Sequence, residues 1–190
     1  VMERMLANHS GVPIQIIVDK TCNDEQEMKF HESRKWLSES SLFMDDNGSL
    51  TIGGIRAKAR KLARRGLDMI VIDYAQLIRP EDSKMGREQQ VAQVSKGAKA
   101  LAKELKVPII MLAQLRRSAD EANRKPRLSD LRESGSLEQD CDLCLMLWRK
   151  DDDPDKTKIT VAKQRQGRCG TVDVQFKPSI QKFLPNPTLN

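Results

Sequence analysis

The strongest constraint on the fold of this chain is a pair of apolar segments, residues 68–74 and 107–113, on either side of an amphipathic segment. Each has the length of one strand, and such uninterrupted runs are typical of strands buried on both faces of a parallel sheet. Between them, residues 87–106 carry apolar side chains at helical spacing, namely Val91, Val94, Ala98, Leu101, Ala102 and Leu105. A strand, a crossover helix and a second parallel strand form a right-handed βαβ unit. The sequence therefore predicts an α/β fold.

The first 45 residues are predicted to be mainly helical. Residues 1–8 have the pattern of the end of a helix, which Gly11 and Pro13 terminate, and residues 24–40 have the pattern of a surface helix. Residues 41–45 are a candidate for a short strand. A helix that opens a chain without a cap indicates that structure precedes it.

A further helix is predicted over residues 52–65, because Ser49 or Thr51 can cap it and Gly66 can end it. Its apolar side chains fall on one face: Ile52, Ile55, Ala59 and Leu62. Its other face is strongly basic: Arg56, Lys58, Arg60, Lys61, Arg64 and Arg65. Two interpretations stay open, a solvated surface and a contact with DNA or a neighbouring subunit.

The C-terminal third differs in composition from the segments before it. Residues 116–136 are polar, basic and predicted to form a long functional loop. Three strand candidates follow at residues 143–148, 158–163 and 172–176, and they predict antiparallel strands at this end of the fold. The tail, residues 178–190, is predicted to be loosely held. All 190 residues are interpreted as one domain.

Composition excludes some classes of protein and leaves others open. The net charge of +6 permits nucleic-acid binding without requiring it, and the low aromatic content of 4% disfavours binding that depends on base stacking. No apolar run is long enough to cross a bilayer. We expect a cytoplasmic protein that does not interact with membranes.

The cysteines do not predict a metal site. Cys141 and Cys144 form a C-x-x-C within an apolar run, where two small, partly apolar side chains in a strand explain them. A zinc or redox site would need a second close pair or nearby histidines, and the two histidines, His9 and His31, are remote in sequence. Reduced thiols are consistent with a cytoplasmic protein.

Two polar side chains follow the two predicted parallel strands. Asp73 lies at the end of the first and Gln114 just after the second. Ligands of open α/β sheets bind at the carboxyl ends of strands, where a carboxylate can hold Mg²⁺ beside nucleotide phosphates and an amide can sense the terminal phosphate. The alternative to a ligand site is that Asp73 caps the strand end or aids solubility and that Gln114 only faces solvent.

Two later segments also carry groups that suit phosphates. Residues 127–140 mix charges, a glycine and small hydroxyls, as do loops that grip nucleic-acid phosphates, although a charged surface loop would have the same composition. Lys163 and Arg165, two residues apart, should project from the same side of a strand end. Paired cations there suit the stabilisation of phosphoryl-transfer charge, and a plain basic edge strand is the alternative.

In combination these segments resemble the motor domain of DnaB-type replicative helicases, in the right order and over nearly the whole chain. The matching segments are IVIDYAQLI at 70–78, REQQV at 87–91, KALAKELKVP at 99–108, QL at 114–115, RLSDLRESG at 127–135 and VAKQR at 161–165. Two departures are Arg116, where the family usually has asparagine, and Ala75, which replaces a bulkier apolar residue.

The resemblance implies a RecA-like P-loop NTPase fold with a mostly parallel sheet flanked by helices. It also implies a homo-hexameric ring that couples ATP hydrolysis to movement along single-stranded DNA, with a helicase loader and a primase as further partners. Asp73 would bind Mg²⁺ through water, Gln114 would couple to the terminal phosphate, and Lys163 and Arg165 would reach the ATP of the neighbouring subunit. Arg132, Glu133 and Gly135 would belong to the loop that grips DNA.

One family element is absent from the 190 residues, since no G-x-x-x-x-G-K-[ST] phosphate-binding loop occurs. The expectation is an N-terminally truncated motor domain without its central P-loop strand, which alone neither binds ATP tightly nor hydrolyses it. Two alternatives remain. A recombinase or clock-type RecA relative is disfavoured by the RESG segment, and a catalytically dead paralogue would bind DNA or dock onto a helicase ring.

Overall fold

The computed structural model describes residues 1–81, 84–115, 124–131, 135–149, 153 and 156–186. The helices described are α1 Met2–Ser10, α2 Ile14–Asp19, α3 Asp24–Glu39, α4 Ile52–Ala63, α5 Arg87–Leu105 and α6 Gly135–Asp140. The strands are β1 Ile70–Ile72, β2 Ile109–Met111, β3 Leu143–Arg149, β4 Thr157–Gln164, β5 Gly170–Lys177 and β6 Lys182–Pro185. Short 3₁₀ turns cover Ala75–Leu77, Leu128–Asp130 and Pro178–Ile180.

The predicted βαβ unit is present, and the α/β fold is confirmed. Strand β1 pairs in parallel with β2, with Ile72 opposite Met111, and α5 connects the two strands. The prediction that both faces of these strands are buried is wrong. Val71 on β1 is 55% exposed and Ile110 on β2 is 50% exposed, whereas Ile72 is buried. Exposed and covered side chains alternate along β1, as in a sheet covered on one face only.

Helix α4 is built as its sequence predicts. The Thr51 hydroxyl accepts a hydrogen bond from the amide of Gly54 and so caps the helix. On the basic face, Arg56 and Arg60 both bind the carboxylate of Glu104 on α5, at 2.6 Å and 2.5 Å. These contacts lower the pKa of Glu104 to about 2, first through the hydrogen bond from Arg60 and then through that from Arg56. Part of the basic face therefore joins two helices, which neither sequence interpretation anticipated.

Helices α4 and α5 approach each other closely where a glycine faces an isoleucine. A Cβ atom on Gly97 would lie 2.4 Å from Cγ1 of the buried Ile52. Gly97→Ala should therefore destabilise the fold by about 1–3 kcal/mol through overpacking, despite the better helix propensity of alanine. Denaturant unfolding measures this loss.

Gly54→Ala is the matched control for that substitution. Gly54 is also helical, but a Cβ atom there would make ordinary contacts of 3.6 Å and 3.7 Å. We expect unchanged or slightly greater stability, by up to about 1 kcal/mol. Equal effects of the two alanines would contradict the close approach at Gly97.

The chain divides into two compact units. The first comprises residues 1–45, 147–160 and 171–190, and the second comprises residues 46–146 and 161–170. Strands β3, β4 and β5 contribute residues to both units, and the sheet has the order β3-β4-β5-β6. In the part of the chain that the structure describes, no helix is long and apolar enough to cross a membrane.

The first unit contains the predicted N-terminal helices. Helix α1 ends at Gly11, whose φ of 70° is left-handed, and α3 begins with a capping box between Asn23 and Gln26. The strand predicted at residues 41–45 does not form. This segment has no strand partner among the described residues, and its apolar side chains are exposed: Leu42, Phe43 and Met44.

The predicted tail, residues 178–190, contains the 3₁₀ turn Pro178–Ile180 and strand β6. Strand β6 pairs antiparallel with β5, and Phe176 lies opposite Phe183 with ring centroids 4.7 Å apart. This aromatic cross-strand pair stabilises the pairing of β6 with β5. Residues 187–190 lie outside the described residues.

Candidate active site

Asp73 and Gln114 lie at the same end of the parallel β1–β2 pair. Asp73 directly follows β1, and Gln114 is three residues beyond the end of β2. Both residues are exposed. Within the described parts of the chain, neither the Asp73 carboxylate nor the Gln114 side-chain amide has a hydrogen-bond partner. The predicted juxtaposition is therefore present, with both side chains available to a ligand.

The segments that carry these two residues are joined by hydrogen bonds. The backbone N–H of Ala75 donates to the carbonyl of Leu112 at 2.9 Å. The backbone N–H of Gln114 donates to the side-chain Oε1 of Gln76 at 3.5 Å. Arg87, the first residue of α5, donates to the carbonyl of Gln76. The turn after β1 is thus attached both to the segment after β2 and to the start of the crossover helix.

Lys163 lies near the end of β4, Arg165 follows one residue beyond that end, and both contact the end of α6. The Lys163 ammonium donates to the carbonyl of Glu138 at 2.5 Å and to that of Gln139 at 3.3 Å. The Arg165 guanidinium donates to the same Gln139 carbonyl at 2.9 Å. Cations at a helix C-terminus satisfy carbonyls that lack partners in the helix and complement its dipole.

Helix α6 is itself anchored on α5. Ser95, a buried residue of α5, donates a hydrogen bond from its hydroxyl to Asp140 at 2.7 Å. Two residues later, the Asp142 carboxylate accepts a hydrogen bond from Lys99 and lies 3.5 Å from Nε of Arg165. The Lys99 hydrogen bond is the main reason that the pKa of Asp142 is lowered.

The Asp73–Gln114 pair and the Lys163–Arg165 pair lie in the same unit, within residues 46–146 and 161–170. In the described residues, however, no hydrogen bond or ion pair joins one pair to the other. Among the described residues, the four side chains thus form two separate pairs within one unit.

The segment before the predicted DNA-contacting loop is held by a buried carboxylate. Asp130 accepts hydrogen bonds from the Arg124 guanidinium at 2.7 Å and 2.9 Å and from the Arg127 amide at 2.7 Å. These bonds, led by that from Arg124, lower the pKa of Asp130 to about 2. Of the predicted DNA-binding residues, Arg132 and Glu133 lie outside the described residues, whereas Gly135 begins α6.

The two cysteines of the C-x-x-C are half-buried, and burial raises the pKa of Cys144 to about 11. A thiol with so high a pKa stays protonated at neutral pH, which makes it a poor metal ligand and nucleophile. Among the residues described, no group of three or more histidine, cysteine, aspartate or glutamate side chains is placed to hold a metal ion.

Comparison with known proteins identifies the family of this chain. The model of the DnaB-like helicase C terminal domain matches residues 1–185. The chain belongs to this family. Its relatives include the replicative DNA helicase DnaB of Geobacillus stearothermophilus, 40% identical over 190 residues, and the replicative DNA helicase DnaC of Bacillus subtilis (strain 168), 37% identical over 190 residues. Each match covers 95% of this chain and 42% of the relative, so this helicase domain spans less than half of their length.

Solved structures give the same result for the fold. A DnaB-like replicative helicase, described with its interactions with primase, has a TM-score of 0.89 and 30% identity, over 96% of this chain and 46% of that one. A second solved structure, described as an ATPase domain, has a TM-score of 0.87 and 31% identity, over 96% of this chain and 68% of that one. The predicted RecA-like fold of the helicase domain is confirmed.

Sequence reasoning missed two features of the site. It gave no role to Gln76, although a polar residue three positions after Asp73 in an apolar context is a detectable signal. It also did not anticipate that the α6 carbonyls hold Lys163 and Arg165, because backbone acceptors carry no signal in the sequence.

Proposed function

We propose that this chain is the part of an ATP-driven replicative DNA helicase that completes the nucleotide site and contacts DNA. The full-length protein would act as a homo-hexameric ring that hydrolyses ATP, moves along single-stranded DNA and separates the duplex. The observation that carries this proposal is the pair of neighbouring parallel strands that are followed by Asp73 and Gln114, in a chain of the DnaB-like family. This edge is where open α/β folds bind their ligands.

The residues at this edge fit Mg²⁺. Mg²⁺ keeps several waters and needs only one or two protein carboxylates when substrate phosphates supply the other oxygens. The exposed Asp73 carboxylate, which has no partner among the described residues, can provide that contact through water. When bound, the ion would neutralise charge on the phosphates of ATP. Gln114 would hydrogen-bond the terminal phosphate or orient water next to it.

Lys163 and Arg165 would act on the ATP of a neighbouring subunit. Their anchors on α6 support this role, because a cation that stabilises developing charge must be held in place beforehand. The Arg165 side chain remains 52% exposed, so its guanidinium can approach a ligand outside its own chain. A heterologous interface of this kind generates a ring.

Contact with DNA is assigned to Arg132, Glu133 and Gly135. The Arg124–Asp130 pair supports this assignment, because it fixes the chain immediately before the loop. The net charge of +6 favours the approach of a polyanion. A primase and a helicase loader are proposed as further partners, and a solved relative is described with a primase.

Arg132→Ala in the full-length protein tests the DNA assignment. Loss of one phosphate contact should weaken single-strand binding for all sequences and reduce the slope of log affinity against log salt by about one unit. Fluorescence anisotropy at several salt concentrations measures both effects. Arg168→Ala, an exposed arginine outside the loop, is the control and should leave the slope unchanged. A normal slope in Arg132→Ala would remove this residue from the DNA contacts.

A catalytically dead paralogue that binds DNA or docks onto a helicase ring is the second candidate. ATP turnover by the full-length protein separates the two functions, since only the motor hydrolyses ATP.

A further inference from the structure

Gln76 is buried between two exposed side chains of the proposed nucleotide site. It is 8% exposed, while Asp73 three residues earlier and Gln114 on the neighbouring segment are exposed. A long amide side chain is rarely buried unless its polar atoms have partners. Its burial at this point therefore needs a reason.

One polar atom of Gln76 has a partner on the segment after β2. Oε1 accepts the backbone N–H of Gln114 at 3.5 Å, and the neighbouring Ala75 amide donates to the Leu112 carbonyl at 2.9 Å. The second bond joins backbone to backbone, so any residue at position 75 except proline can form it. The bond to Gln114 depends on the Gln76 side chain.

The backbone of Gln76 is held from a third direction. The Arg87 guanidinium at the start of α5 donates to the Gln76 carbonyl and also to Oε1 of Gln90, at 3.2 Å. Gln76 therefore lies where the turn after β1, the segment after β2 and the crossover helix meet. A displacement of Gln76 would therefore disturb the contact between the segment that carries Asp73 and the one that carries Gln114.

Stability does not explain the choice of glutamine. Nε2 of Gln76 is buried and has no hydrogen-bond partner among the described residues. A buried donor without an acceptor opposes folding, and an apolar residue of similar size would avoid that cost. An apolar residue would lack the acceptor atom, Oε1, that binds the backbone N–H of Gln114.

We propose that Gln76 is a positioning residue that fixes Gln114 relative to Asp73. The inference rests on the proposed function of that pair and adds a residue that acts through them. Gln76 does not touch the nucleotide in this scheme. It holds the Gln114 backbone so that the amide side chain and the Asp73 carboxylate face the same phosphates.

The first test measures amide hydrogen exchange of Gln114 in the full-length protein without nucleotide. Gln76→Leu should speed this exchange about fivefold, the effect of losing one ordinary hydrogen bond. Gln76→Glu keeps an acceptor at the same position and should exchange close to the wild-type rate. Gln166→Leu, at an exposed glutamine, controls for the substitution itself. Wild-type exchange in Gln76→Leu would overturn the proposal, whatever the protein does with ATP.

The second test measures steady-state ATP hydrolysis. Gln76→Leu should lower kcat about ten- to a hundredfold with little change in KM, because misplacing a catalytic group affects the reaction more than substrate binding. Gln76→Glu should recover most of the turnover. A kcat equal to wild type in Gln76→Leu, or an equal loss in both variants, would overturn the positioning role. A full-length wild type without ATPase activity would instead refute the proposed function, and the exchange result would still decide on the Gln76–Gln114 contact.

Discussion

Asp73→Asn in the full-length protein is expected to reduce ATP turnover by roughly a hundred- to a thousandfold, the scale on which loss of one charge-stabilising group acts. Asparagine keeps the size of the side chain but removes the negative charge that, in the proposed function, would hold Mg²⁺ through water. Folding should not change, because Asp73 is exposed and forms no hydrogen bond or ion pair with any described residue. Steady-state hydrolysis at saturating ATP and Mg²⁺ measures the loss.

Asp68→Asn is the matched control for this experiment. Asp68 is also exposed and lies two residues before β1, at the opposite end of the strand from Asp73. Removing its charge should leave turnover unchanged if the carboxyl end of the strand is the reactive one. Near-normal hydrolysis in Asp73→Asn, or equal losses in the two variants, would contradict the assignment of Asp73.

The elements that the sequence predicted well are those whose information is local. The 3,4 spacing of apolar residues gave α5, and Thr51 followed by an amphipathic segment gave α4, because periodicity and capping act within one helix. Elements that depend on partners elsewhere in the chain were not predicted. Residues 41–45 have strand composition but no strand to pair with among the described residues, whereas β6 pairs with β5 through the cross-strand Phe176–Phe183 contact.

The sequence could predict which residues of the candidate site lie at the same edge of the sheet, because the strand topology alone determines this. Parallel strands connected through a helix present their carboxyl ends at one edge, so Asp73 and Gln114 could be placed together from the sequence. The surroundings of each group could not be predicted. The contacts from Gln76 to Gln114 and from α6 to Arg165 end on backbone amides or carbonyls, which are the same for every residue type except proline.

Arg165→Ala should lower ATP turnover of the proposed full-length ring by roughly a hundredfold or more, because arginines that reach a neighbour's nucleotide contribute at least that much to phosphoryl transfer. The fold should be retained. The guanidinium is half-exposed. Among the described residues, its loss removes only the contacts to the Gln139 carbonyl and to Asp142, which keeps its hydrogen bond from Lys99. ATP hydrolysis and thermal unfolding, measured on the same preparation, separate the two effects. Arg168→Ala, on the turn after β4, is the matched control and should hydrolyse ATP normally.

Mixed rings decide whether Arg165 acts across the subunit interface. A ring of Arg165→Ala subunits lacks the cation at every interface, and a ring of Asp73→Asn subunits lacks the carboxylate at every interface. When equal amounts of the two variants assemble together at random, about a quarter of the interfaces combine an intact Asp73 with an intact Arg165 from the neighbour. Turnover of the mixture should therefore rise well above the reduced turnover of either variant alone. If Arg165 acted within its own subunit, every site would still lack one group and the mixture would stay at the reduced turnover.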